Sequence, residues 1–142
     1  MAIVNTAYKK LMDGDIDLLV DTIKCMILTS THTTDIDTQE FIDDVSANEI
    51  TDSTGDYTTG GETLGSKTTT VDNGNDWCVF DAADIGLTGT TITNAQFYCI
   101  YKDTGTPGTS AIIAIIDEGT PRSSSNGAFD IAWSANGILR FS

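Results

Sequence analysis

The most regular pattern of apolar and polar positions lies over residues 91–119, TITNAQFYCIYKDTGTPGTSAIIAIIDEG. Over 92–102, Ala95, Phe97, Cys99 and Tyr101 alternate with Asn94, Gln96, Tyr98, Ile100 and Lys102. One face is therefore apolar and the other mixed, which predicts a strand with one face in a core. Over 111–116 the sets Ala111, Ile113, Ile115 and Ile112, Ala114, Ile116 are both apolar, so this strand should be covered on both faces, within a sandwich or beneath another subunit. Isoleucine density and short length favour strand over a buried piece of helix. Between the arms, Gly105, Pro107 and Gly108 break the ladder, because glycine admits positive φ and proline has no N–H to donate. The stretch reads as a long hairpin with a connecting loop.

The rest of the chain carries weaker versions of the same signals. Residues 2–12 hold Ile3, Val4, Ala7, Tyr8 and Leu11 at helical spacing before Asp13-Gly14-Asp15, which fits a short surface helix or an N-terminal arm over 1–15 that reaches a neighbour. Residues 16–30 read as one strand, or as two that meet at Asp21-Thr22, with clear alternation in the second half. A short helix is expected near residues 37–45, capped by Asp37 with Glu40 three residues on, and with Phe41, Ile42 and Val45 on one face. A brief strand over 49–51, an exposed polar loop to Gly61, weak alternation over 63–71 and a compact strand over 77–80 follow. Asn136-Gly137 lies between FDIAWSA and ILRFS, a strong signal for a closing hairpin.

Composition sharpens the class. The chain has 142 residues, 13 glycines and 2 prolines, with threonine prominent, which suits turns and pleated surface better than helix. The expectation is one all-β domain over 1–142, an antiparallel β-sandwich or jelly roll. Acidic side chains number 21 against 7 basic, for a formal net charge of −14. Such a field repels phosphate backbones and anionic lipid headgroups, so neither nucleic acid nor a membrane surface is an expected partner. Cys25, Cys78 and Cys99 are far apart without a CxxC or Cys/His pattern and read as free buried thiols, hence assembly in a reducing cytoplasm. Neither a signal peptide nor an apolar run long enough to span a membrane is seen.

Candidate chemistry is sparse. Asp13-Gly14-Asp15-Ile16-Asp17 and Asp35-Ile36-Asp37 resemble pieces of an oxygen-ligand cation site but lack the EF-hand continuation, so they read as turn and cap. His32, the only histidine, sits among Ser30, Thr31, Thr33 and Thr34, the setting of an exposed polar loop. There is no nucleophile elbow and no phosphate-binding glycine loop. The reading is a non-enzyme with no cofactor and no metal.

Taken together, DTIKCMILTS, FIDDVSANEI with its TGDYTTGGETLGSKTTTVD loop, VFDAADI, TITNAQFYCIYKDTGTP, AIIAIIDEG and FDIAWSANGILRF resemble, in order and spacing, a family of tailed-bacteriophage virion structural proteins. The resemblance covers nearly the whole chain from Ile16. Its motifs encode strands and turns and carry no catalytic residues. It implies a small β-sandwich of the particle, most directly a capsid decoration, or cement, protein on the head surface. Its partner would be the major capsid protein and its form a homo-oligomer, a trimer at threefold positions as first guess. Ile3, Val4, Tyr8, Leu11, Ile112 and Ile116 are the candidate intersubunit contacts. The alternative is a tail or fibre component that binds a host receptor or glycan through loops 52–61 and 103–109.

Overall fold

The computed structural model describes residues 1–142. Its strands are β1 (Ala2–Ile3), β2 (Ile23–Thr29), β3 (Glu62–Thr63), β4 (Thr68–Asp72) and β5 (Trp77–Asp81), then β6 (Ile85–Thr90), β7 (Ala95–Lys102), β8 (Ile112–Arg122), β9 (Gly127–Ile131) and β10 (Leu139–Phe141). One α-helix, α1 (Asn5–Met12), follows β1. The expected hairpin is the centre of the fold: β7 and β8 pair antiparallel, with Tyr98 opposite Ile116 and Cys99 opposite Ile115. They belong to a five-stranded sheet in the order β1-β8-β7-β2-β3. A three-stranded sheet, β10-β5-β4, and a two-stranded one, β6-β9, share one core with it. The result is an all-β, sandwich-like arrangement of antiparallel sheets packed against each other.

Apolar residues on both faces explain why the large sheet is central. Ile112, Ile113, Ala114 and Ile115 are all buried, as the double apolar pattern requires. β7 differs from the expected half-buried strand, because Tyr98 and Ile100 on its mixed face are buried as well. The Tyr98 hydroxyl escapes isolation by bonding outward to Glu118 and Arg122. Burial of each large aliphatic side chain contributes about 1.5–3 kcal/mol, and this sheet concentrates them.

The N-terminus is part of the domain. Ala2 and Ile3 pair with Ile115 and Ala114, and the Val4 N–H donates to the Ile113 carbonyl at 3.1 Å. Val4 and Ala7 are fully buried, which seats α1 on the same sheet. Residues 1–15 therefore form no free arm.

Several local expectations give way to long-range pairing. Residues 35–48 form no α-helix. Asp35 Oδ1 caps a turn by accepting the N–H groups of Asp37 and Thr38, and Ile42–Asp44 and Ser46–Asn48 are short 3₁₀ turns. Asp44, rather than Asp37, accepts from the backbone at Glu40 and Phe41. Phe41 bridges to Ala111, and the Ile112 N–H donates to the Glu40 carbonyl at 2.9 Å; a segment extended along a strand cannot also close an α-helical ladder. Over 16–22 there is a turn in place of a first strand, because Asp17 Oδ1 takes the N–H groups of Leu19 and Val20. Glu49 makes only an isolated bridge to Leu28.

The Asn136-Gly137 turn joins two sheets instead of closing a hairpin. β9 pairs with β6, and β10 pairs with β5. Gly137 has φ +81°, and a Cβ there would lie 2.3 Å from Val79 Cγ1 and 2.9 Å from the Phe80 carbonyl oxygen. Glycine is demanded by close approach to β5. Gly61 is similar: its Cβ would stand 2.2 Å from the Cys25 carbonyl oxygen.

Candidate functional site

The residues expected to meet a neighbouring subunit separate into two groups. Ile3, Val4 and Ile112 are buried inside this chain's own fold, where they serve as core. Tyr8 is 47% exposed, and Leu11 and Ile116 are half-buried. Tyr8 and Leu11 belong to one surface feature and Ile116 to another.

The first feature is an apolar groove of about 240 Å³ lined by Leu11, Leu18, Cys78, Val79, Phe80 and Phe141, with Thr69 as its one polar residue. Five elements build it, β4 supplying Thr69. α1 supplies Leu11, β5 and β10 supply its floor with Phe141 opposite Cys78, and the turn after Ile16 supplies Leu18. The Tyr8 and Phe141 rings meet edge to face at 6.4 Å. A second depression shares Leu11, Leu18 and Thr69 and extends the apolar surface to Leu19. The Asp17 turn holds Leu19 and Val20 outward, and Val20 is 81% exposed. Met12, at the end of α1, is 80% exposed. Apolar surface gathered in this way marks interaction sites on folded proteins.

Cys78 lies in the groove with its thiol exposed, contrary to the expectation that all three cysteines are buried. Cys78 shares its face of β5 with the buried Phe80, but it lies two residues along, opposite Phe141 and Val71, where the core no longer covers that face of the sheet. Cys25 and Cys99 are buried, and burial pushes both thiols well above the ordinary range.

The second feature is a more enclosed cavity of about 230 Å³ on the β8-β9 side of the molecule, where Tyr98, Ile116, Glu118, Arg122, Trp133 and Arg140 come together. Arg122 Nη2 donates to the Tyr98 hydroxyl at 2.7 Å and to the Asp130 carbonyl at 2.9 Å, and Arg122 Nε lies 3.0 Å from Glu118 Oε1. The Tyr98 hydroxyl also bonds Glu118. Burial, with the Glu118 carboxylate beside it, raises the Tyr98 pKa above the usual phenol range. Trp133 stands edge to face with Tyr98 at 6.2 Å and donates Nε1–H to the Ala83 carbonyl at 3.0 Å. Periodicity gave no warning of this cavity. The one available signal was that the chain has only two arginines, Arg122 and Arg140, and both sit here.

His32 is not on an exposed loop. It is 5% exposed, packed edge to face against Phe97 at 5.2 Å, with neither ring nitrogen hydrogen-bonded. Burial lowers its pKa from the ordinary value. No hydrogen bond ties it to a hydroxyl or carboxylate, so it has no triad geometry. The aspartate-rich turns are held by backbone amides, and no three His, Cys, Asp or Glu side chains converge as a metal site would require. No helix is long and apolar enough to cross a membrane.

The loops suggested for receptor contact are tied to the fold by hydrogen bonds and an ion pair and stay exposed over 53–56 and 104–109. Asp52 accepts N–H groups from Thr54, Gly55, Tyr57 and Thr91, and the hydrogen bond from Thr91 leads in lowering its pKa. Tyr57 is buried, donating to Glu49 and accepting from the Ile27 N–H. In the loop 103–109, Asp103 pairs with Lys24 at 2.9 Å, while Ser110 is buried and bonds Thr104 and Thr106. No protein-family model, curated protein or solved structure matches the chain.

Proposed function

We propose that the protein is a structural component of a tailed-bacteriophage particle, a capsid decoration protein that grips the major capsid protein through its apolar groove. The observation that carries this reading is the uncovered surface of Leu11, Leu18, Leu19, Val20, Cys78 and Phe141, held out by α1, the Asp17 turn and the uncovered end of the three-stranded sheet. The resemblance of the strand and turn motifs to virion proteins supports the assignment to a particle. The acidic charge of −14 supports an outward position, since a surface facing packaged DNA would meet phosphate repulsion. Attachment works by mass action. A protein that binds the assembled shell better than separate subunits stabilises the shell by that difference in affinity. Copies meeting at a symmetry axis of the shell form a homo-oligomer, and a trimer is the first form to look for.

The test is binding of the purified chain to shells that lack it. Leu18→Glu combined with Val20→Glu places charge in the groove and on the turn beside it. We expect shell binding at least about tenfold weaker, with the thermal midpoint within a few degrees of the parent. Unchanged sedimentation of the variant with shells would remove the groove from the interface. Deleting residues 2–11 is not a clean test, because it takes Ile3, Val4 and Ala7 out of the core.

A further inference from the structure

Of the seven basic side chains, six are engaged. Lys9, Lys10, Lys24, Lys102 and Arg122 make ion pairs with Asp13, Glu40, Asp103, Asp21 and Glu118, and Lys67 donates to the Asp21 carbonyl. Arg140 alone has neither an ion pair nor a hydrogen bond; its guanidinium carbon lies 5.1 Å from the centre of the Trp77 ring. In a chain with three times as many acids as bases, an arginine left without a carboxylate is conspicuous. It is half-buried and it lines the enclosed cavity described above.

We propose that this cavity binds an acidic monosaccharide unit, a sugar ring whose single carboxylate pairs with Arg140. Each part of the lining bears on that class. Arginine presents parallel N–H donors that match a carboxylate, and it is always charged at physiological pH. Arg122 is already paired with Glu118, so among the lining side chains Arg140 is the cation left without a carboxylate, and the N-terminal residue Met1 lines the cavity with it. Ile116, Trp133 and Tyr98 give an apolar and aromatic wall for the C–H face of a ring. The Ser134 hydroxyl, which accepts from the Asn136 N–H, keeps its own proton to donate. At about 230 Å³ the space is below the roughly 300–1,000 Å³ of ordinary ligand pockets, which limits the occupant to one ring. The acidic field of the whole molecule disfavours a polyanion, while a lone charge beside Arg140 is screened from distant carboxylates over about 8 Å at physiological salt. This site is separate from the apolar groove and does not depend on the function proposed for it.

The experiment uses the full chain, ¹⁵N-labelled, titrated with D-galacturonate and with D-galactose, its counterpart without the carboxylate. We expect galacturonate to shift the Trp133 indole N–H and the Arg140 Nε–H resonances saturably, and galactose to bind at least about tenfold more weakly. Arg140→Gln should abolish the preference for the acid, and Arg140→Lys should restore part of it. Equal binding of the two sugars, no shift with galacturonate, or displacement of galacturonate by an equal concentration of acetate would each overturn the proposal. The wild-type comparison decides the matter even if the Arg140→Gln protein does not fold.

Discussion

β8 of the five-stranded sheet and β5 of the three-stranded sheet are both apolar strands, yet they finish in opposite surroundings. Residues 112–115 of β8 are buried on both faces, between α1 and β1 at one edge and β7 at the other. In β5 only Phe80 is buried; Trp77 and Val79 are half-exposed and Cys78 is exposed. Its neighbour β4 is barer still, with Val71 69% exposed on an open edge. Soluble proteins ordinarily protect such edges. The contrast teaches that one sheet is spent on stability, while the other presents apolar surface that the fold itself does not need. The exposed sheet is therefore where contact with another protein is to be sought.

The comparison can be broken most severely by removing volume. Ile113→Ala should cost about 2–5 kcal/mol, since the site is fully enclosed and cannot collapse around the loss. Val71→Ala on β4 should change stability by no more than about 0.5 kcal/mol. Equilibrium urea unfolding of the two variants measures both, and equal losses would mean that the two sheets are equally packed.

A smaller effect comes from pH. His32, buried against Phe97 of the central sheet, has a pKa held below that of the unfolded chain. The unfolded state therefore takes up the proton first. Stability from this source is complete above about pH 6.5 and declines as pH falls through the window below it. The urea midpoint should drop between pH 8 and pH 5, and His32→Gln should flatten that slope. A second acid loss should follow below about pH 4, where Asp52, Asp35 and Asp72, whose folded pKa values lie below the usual carboxylate value, lose the turns they hold. An unaltered slope in His32→Gln would place the acid sensitivity entirely in the carboxylates.

The gentlest probe is chemical. Cys78 should react with a thiol reagent in the native protein, while Cys25 and Cys99 react only on unfolding. Mass spectrometry after brief labelling counts the modified thiols. Protection of Cys78 when undecorated shells are present would sharpen the assignment of the exposed sheet as the contact face. Labelling at the same rate with and without shells would argue against it.

How much of this was legible beforehand follows from the range of each signal. Alternation over 92–102 and the double apolar run over 111–116 located β7 and β8, because side-chain period and burial are written in the strand itself. The cap expected at residue 37 and the strand expected before Asp21 give way for one reason: neighbouring aspartates can all cap or turn, and only the surrounding backbone selects among them. His32 looked exposed because its neighbours are polar, whereas its burial is decided by Phe97, far along the chain. The groove had no sequence signature and the arginine cavity only the scarcity of arginine, since their residues come from elements separated by most of the chain.

By itself the sequence determined the β character of the chain, the position of its central hairpin and its acidic surface, all of which depend on local periodicity and composition. Tertiary structure alone decided which strands pair across the Asn136-Gly137 turn, which apolar side chains stay uncovered and which arginine lacks a partner. Those depend on coverage and on distance in space, and a strand carries no record of what will be laid over it.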